Sequence, residues 1–159
     1  MKKGILAVVS FAFGVAGGVF GGKIFKFYFN NEKSKEDDKV YKFKLYYNIL
    51  NQWLMKKNEG KSITEYFISN GYKTIAIYGM GELGCRLYEE LKDSEIKVSY
   101  AIDKESGSIY SELEVCSIEE ELQPVDALIV TAVFAFDKIE EELEKIVDFP
   151  IISLEDVVC

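Results

Sequence analysis

A chain of 159 residues, 48% hydrophobic and 29% charged, has room for one ordinary packed domain plus accessory segments. Its charge is divided: residues 1–71 carry 12 Lys against 6 acids, and residues 72–159 carry 7 Lys or Arg against 21 acids. The acidic half excludes nucleic acid as an expected partner, because polyphosphates are held by Lys and Arg that displace counterions. With no His and no CxxC pair, a zinc site of Cys and His type is excluded too.

From Gly4 to Gly22 there is no charged residue, a run long enough to cross a hydrocarbon core of about 30 Å. Lys2 and Lys3 precede it. Lys23 and Lys26 follow, among Phe25, Phe27, Tyr28 and Phe29, side chains suited to a lipid–water boundary. Residues 1–30 therefore read as a transmembrane anchor; the alternative is a cleaved signal peptide, with Ala16 and Gly18 as small residues at a cleavage site. Lys23, Lys26, Lys33, Lys35, Lys39, Lys42 and Lys44 outnumber the lysines before the run, so the positive-inside rule puts the C-terminal domain in the cytoplasm. The expectation is a single-pass protein of the inner membrane. Gly14, Gly18 and Gly22, with Gly17 and Gly21, share one helix face that suits close pairing with a second copy. The alternative is the ordinary glycine content of membrane helices.

Residues 31–39 are polar and mixed in charge, a solvated linker or a frayed helix start. Residues 40–71 form a helical lead-in. Val40, Phe43, Tyr47, Leu50 and Leu54 recur at helical spacing with Trp53 beside them. This amphipathic helix is expected to pack its stripe on the domain; lying on the lipid surface is the alternative. Gly60 breaks the run, Ser62-Ile-Thr-Glu65 reads as a capping box, and a short helix from Ile63 ends at Gly71 as its C-terminal cap.

Residues 72–159 alternate strands and helices, which calls for a parallel sheet of about five strands in a small Rossmann-like α/β domain. Strands are expected at 73–78, 96–102, near 114–116, at 126–133 and at 150–153. Helices are expected at 82–92 and 137–147, with a terminal turn at 154–158. Ser117-Ile-Glu-Glu120 is a second capping box.

Gly79-Met80-Gly81-Glu82-Leu83-Gly84 matches GxGxxG between a predicted strand and a predicted helix. The first glycine permits the tight turn, the second lets backbone N–H groups reach a pyrophosphate, and the third lets helix and strand pack closely. The helix start adds positive potential. Asp103, about twenty residues on at the end of the next strand, can accept from a ribose, and Thr131, at the end of the most apolar strand, joins the candidate set. The alternative is a glycine turn kept for packing, without a ligand. Glu82 would compete with a phosphate for the same N–H groups, and Lys104 after Asp103 blurs a preference between NAD and NADP. The half-domain that would hold a nicotinamide against a substrate looks absent.

The stretches KTIAIYGMGELGCRLYEEL, VSYAID, DALIVTAVFAFDKIEEEL and FPIISLEDV resemble the small Rossmann modules of bacterial surface-polysaccharide enzymes, of nucleoside-diphosphate-sugar epimerase type. The resemblance covers residues 72–159 and implies NAD(P) or a nucleotide sugar as ligand, held by Gly79, Gly81, Gly84 and Asp103. Epimerases of this kind use a Tyr-x-x-x-Lys pair on a later helix. Here Tyr88 and Lys92 have the spacing on the wrong helix, and they read as helix surface. The acid clusters Glu119–Glu121 and Glu140–Glu144 read as solvated faces, so no catalytic residue and no metal ligand is named. Cys85, Cys116 and Cys159 read as small apolar residues and a terminal thiol, with Cys85, near a helix start, the more reactive.

The expected function is that of a membrane-anchored cytoplasmic module binding NAD(P) or a nucleotide sugar, accessory or sensing, in cell-envelope polysaccharide synthesis. The alternatives are an epimerase or dehydrogenase subunit completed by a partner chain, and a membrane scaffold that binds no nucleotide.

Overall fold

The computed structural model describes residues 36–103 and 112–159. The expected anchor, its glycine face and Lys104 lie outside them. Among the described residues no helix is long and apolar enough to cross a membrane. The chain divides into two units, residues 1–43 and 44–159. Of the first, only helical residues 36–43 are described.

The second unit is built on apolar runs. Thr74–Tyr78 (β1) and Ala127–Val130 (β4) have continuous buried interiors, as strands covered on both faces require. They pair in parallel, and Lys97–Ile102 (β2), Val115–Cys116 (β3) and Ile151–Ser153 (β5) complete a sheet of order β3-β2-β1-β4-β5, parallel throughout. The chain steps outward from β1 to β3, returns to the other side of β1 as β4, and steps outward again. Between β1 and β4 the order reverses, the kind of place where loops diverge and leave a crevice.

Helices cover both faces. On one, Glu82–Leu91 (α3) buries Leu83, Leu87 and Leu91 against Ile75, Ile77 and Ile129. The same cluster takes Ile49 and Trp53 from the helix of residues 36–58 (α1), Phe67 from Thr64–Ser69 (α2), and Leu154, Val157 and Val158 from Leu154–Val158 (α5). On the other face Phe136–Leu143 (α4) sets Ile139 and Leu143 on Ala76, Leu128 and Val130. Full burial of each such side chain contributes roughly 1.5–3 kcal/mol.

The parallel α/β architecture is therefore as the alternation predicts. Several details differ. Helix α1 already includes residues 36–39, the frayed-start option for that stretch. It docks through Ile49 and Trp53, 1% and 4% exposed, with Leu45 and Tyr46 beside them. The expected stripe faces out: Tyr47 is 69%, Leu50 41% and Leu54 57% exposed. The helix has two apolar faces, and the one holding Trp53 is turned to the core, where its indole N–H donates to Glu90.

Neither capping box opens a helix as drawn. Ser62 Oγ accepts from the Thr64 N–H at 3.2 Å and donates to Glu90 Oε1 at 3.3 Å, with no bond from Glu65 back to it. In the second, Glu120 Oε1 accepts from the Ser117 N–H at 2.6 Å, but the box closes a turn. Gly71 does cap α2, at φ +76°. Tyr88 is buried in the core at 6% exposure instead of lying on the helix surface. Residues 154–158 are a short helix capped by Ser153 Oγ.

Candidate functional site

The glycine turn follows β1 at the C-terminal edge of the sheet. Gly79 has φ +91°, a left-handed conformation that disfavours any side chain. A Cβ there would also sit 2.9 Å from Thr131 Oγ1. Gly84 is required for a different reason: a Cβ would collide with the carbonyl of Gly79, so α3 can cross β1 this closely only without one. Gly81 stands apart from both. Its backbone is ordinary extended, φ −70°, and a Cβ would meet nothing within 4 Å. Packing does not ask for glycine there, and its local use is limited to that of N-cap to the following helix.

Two side chains lock the turn. Thr131, 4% exposed, lies behind it and donates its hydroxyl to the Gly79 carbonyl at 2.6 Å, with the Tyr78 carbonyl 3.1 Å away. Asp103 lies in front, its Oδ2 accepting from the Met80 N–H at 2.6 Å. The structure thus bonds Thr131 to Gly79 and Asp103 to Met80, and gives Thr131 a positioning role. Cys85 Sγ donates to the Met80 carbonyl at 3.3 Å, so its thiol also braces the loop.

Helix α3 starts at Glu82 with Gly81 as its N-cap, and no side chain caps it. Among the described residues, no acceptor serves the N–H groups of Glu82, Leu83 and Gly84. These donors form the positive end of the helix dipole. Glu82 is exposed at this end.

Beside the turn lies a crevice of about 370 Å³, within the usual range for small-molecule sites. Its apolar walls are Ile102, Ile118, Phe134 and Ile139; its polar groups are Tyr78, Asp103, Ser117, Lys138 and Glu142. They come from the ends of β1, β2 and β3, from the loop after β4 and from α4. Burial, and then the carboxylates of Glu142 and Asp103, raise the Tyr78 hydroxyl above the ordinary tyrosine value, so the phenol stays protonated at neutral pH. Lys138 Nζ lies 4.0 Å from Glu142 Oε1, with both side chains more than half exposed. On the α1 side, the Tyr46 and Phe134 rings are 6.4 Å apart. The Tyr46 hydroxyl is raised by burial and then by Glu82, which places it near the start of α3.

Sequence reasoning missed Tyr46, Ile118, Phe134, Lys138 and Glu142. Phe134 follows β4, which the sheet sets beside the glycine strand. The others meet only through tertiary packing. Tyr88 and Lys92 are not brought to this site: they line a hollow with Ser94, Lys97, Val98 and Glu112 around the start of β2, the opposite end of the sheet. Burial, then nearby carboxylates, raise the Cys116 and Cys159 thiols. Among the described residues, no group of three or more His, Cys, Asp or Glu could hold a metal ion.

No family model, no curated protein and no solved structure matches this chain. The site is therefore read from its own geometry.

Proposed function

We propose that the C-terminal domain is a nucleotide-binding module for NAD(P) or a nucleotide sugar, with an accessory or sensing role at a membrane. In this reading the phosphates lie over Gly81 at the start of α3, the ribose meets Asp103, and the base enters the crevice between Ile102, Ile118 and Phe134. Gly81 is the observation that carries it. Gly79 and Gly84 are explained by the protein's own backbone, but Gly81 leaves an open space before three N–H groups that lack acceptors, the shape and polarity that a phosphate fills. Asp103 is already aimed at the turn by Met80. Glu82 opposes the phosphate, so affinity is modest in this reading.

Membrane attachment through residues 1–30 is part of the proposal, supported by the uncharged run and its lysine flanks. The link to envelope polysaccharides comes from the resemblance of residues 72–159. The test is thermal unfolding of the full-length protein in detergent with NAD, NADP, a UDP-sugar and buffer alone. A ligand at one hundred times its dissociation constant stabilises the folded state by about 2.7 kcal/mol. A melting curve that none of these moves would leave a scaffold that binds no nucleotide.

A further inference from the structure

Among the described residues, the outward face of α1 is apolar and exposed. Of ten large hydrophobic side chains exposed among the described residues, seven lie on this helix. Within the second unit, Tyr47, Leu50 and Leu54 follow one another at spacings of three and four, so they form one stripe, and Met55 is exposed beside it. The opposite face is already spent on the core through Ile49 and Trp53.

Charge identifies what covers the stripe. From Lys44 to Asn58 the helix carries Lys44, Lys56 and Lys57 and no acid, while residues 72–159 hold 21 acids against 7 Lys or Arg. The nearest carboxylates, on α3, are paired with cations: Glu90 with Lys57 at 3.0 Å and Glu89 with Arg86. A second copy laid on the same stripe would bring Lys44 and Lys56 of two helices together, with no acid between Lys44 and Asn58 on either. An anionic bilayer meets the stripe with apolar depth and the lysines with negative headgroups, the chemistry of interfacial helices. The position in the chain agrees. Thirteen residues separate Gly22, where the uncharged run ends, from residue 36, and that length of chain spans at most about 45 Å, so a bilayer holding the run is within reach.

We propose that the stripe of Tyr47, Leu50 and Leu54, edged by Lys44, lies in the headgroup region of an anionic bilayer and seats the domain against it. This is independent of nucleotide binding. It shares with the proposed function only the membrane, and the two are separable by experiment.

Full-length protein carrying the photocrosslinker benzoylphenylalanine at position 47, in place of Tyr, is reconstituted into vesicles of phosphatidylcholine with or without phosphatidylglycerol. The expected result is lipid adducts at position 47 that increase severalfold with phosphatidylglycerol, and none from the same group at exposed Ile146. Leu50→Glu should reduce the adduct at least tenfold while the melting temperature stays unchanged. A covalent dimer, a crosslink to residues 1–35, or no adduct at all each overturns the proposal. Alkaline carbonate extraction reports on the anchor separately. A chain that stays with the membrane without adducts sinks the helix proposal alone. Adducts on a chain that carbonate releases sink the anchor alone.

Discussion

Replacing Gly81 separates a phosphate site from a packing turn, because the three glycines of the turn fail in different ways. A Cβ at Gly81 meets nothing within 4 Å and the backbone is already extended, so Gly81→Ala and Gly81→Val should fold. The cost is that of a poorer N-cap, about 0.5–1 kcal/mol. A Cβ at Gly84 drives into the Gly79 carbonyl, and overpacking of this kind costs typically about 1–3 kcal/mol and shifts backbone. With nucleotide the order reverses in meaning. Wild type at one hundred times its dissociation constant gains about 2.7 kcal/mol, which for a domain of this size raises the melting temperature by roughly 10 °C. Gly81→Val fills the space where the phosphates would sit, so its ligand-induced shift should vanish while its ligand-free melting temperature stays within a few degrees of wild type. Scanning fluorimetry of wild type, Gly81→Val and Gly84→Ala, each with and without ligand, reads both quantities at once. A Gly81→Val protein that melts as early as Gly84→Ala without ligand, or that keeps the full shift with it, would refute the reasoning.

Other substitutions test the remaining contacts. Asp103→Ala should weaken nucleotide binding by about 1.5–3 kcal/mol, read by calorimetry, since it removes the ribose acceptor and frees the Met80 N–H; unchanged affinity would remove the residue from the site. Glu82→Gln should tighten binding at low salt by roughly 0.3–1 kcal/mol, and weaker binding would show that the phosphates do not sit at that helix end. Thr131→Val keeps the shape but deletes the hydroxyl on the Gly79 carbonyl, so urea unfolding should show a loss of roughly 1–3 kcal/mol. Asp126 Oδ2 accepts from the Lys73 and Thr74 N–H groups and the Thr74 hydroxyl, the two backbone bonds being the leading causes that hold its carboxyl below the ordinary aspartate value. That stability is present above the unfolded-state pKa and lost as pH falls through the folded one. Wild type should therefore lose its margin over Asp126→Asn as pH falls below the ordinary aspartate range, and a margin constant with pH would remove the carboxylate as its source.

The sheet was legible because its strands are buried on both faces. TIAIY and ALIV read as unbroken apolar runs, and the glycine turn between strand and helix announces itself by composition. Boundaries slipped where local pattern and tertiary packing disagree. Ser117 and Glu120 make half of a helix-opening box, yet the chain turns back after it, since a capping box lowers the free energy of a helix start without creating the helix. The crevice walls were illegible for a related reason: Ile118, Phe134 and Lys138 are brought together by the crossover from β3 to β4 and by the loop after β4, and nothing in their spacing along the chain encodes that meeting.

Helix α1 shows the limit most clearly. Periodicity finds apolar stripes but carries no sign saying which stripe is inside. Val40, Phe43, Tyr47, Leu50 and Leu54 make the longer series, while the domain takes the shorter one, Tyr46, Ile49 and Trp53. Trp53 decides the choice. On the inner face its indole Nε1–H donates to Glu90 Oε2 at 2.8 Å, and the same oxygen takes Lys57 at 3.0 Å. Turned outward, the helix would leave the indole without this acceptor and put the ring in water, while Glu90 Oε2 would lose Trp53 and Lys57. A buried aromatic with a satisfied polar edge outweighs a longer stripe of apolar residues left exposed.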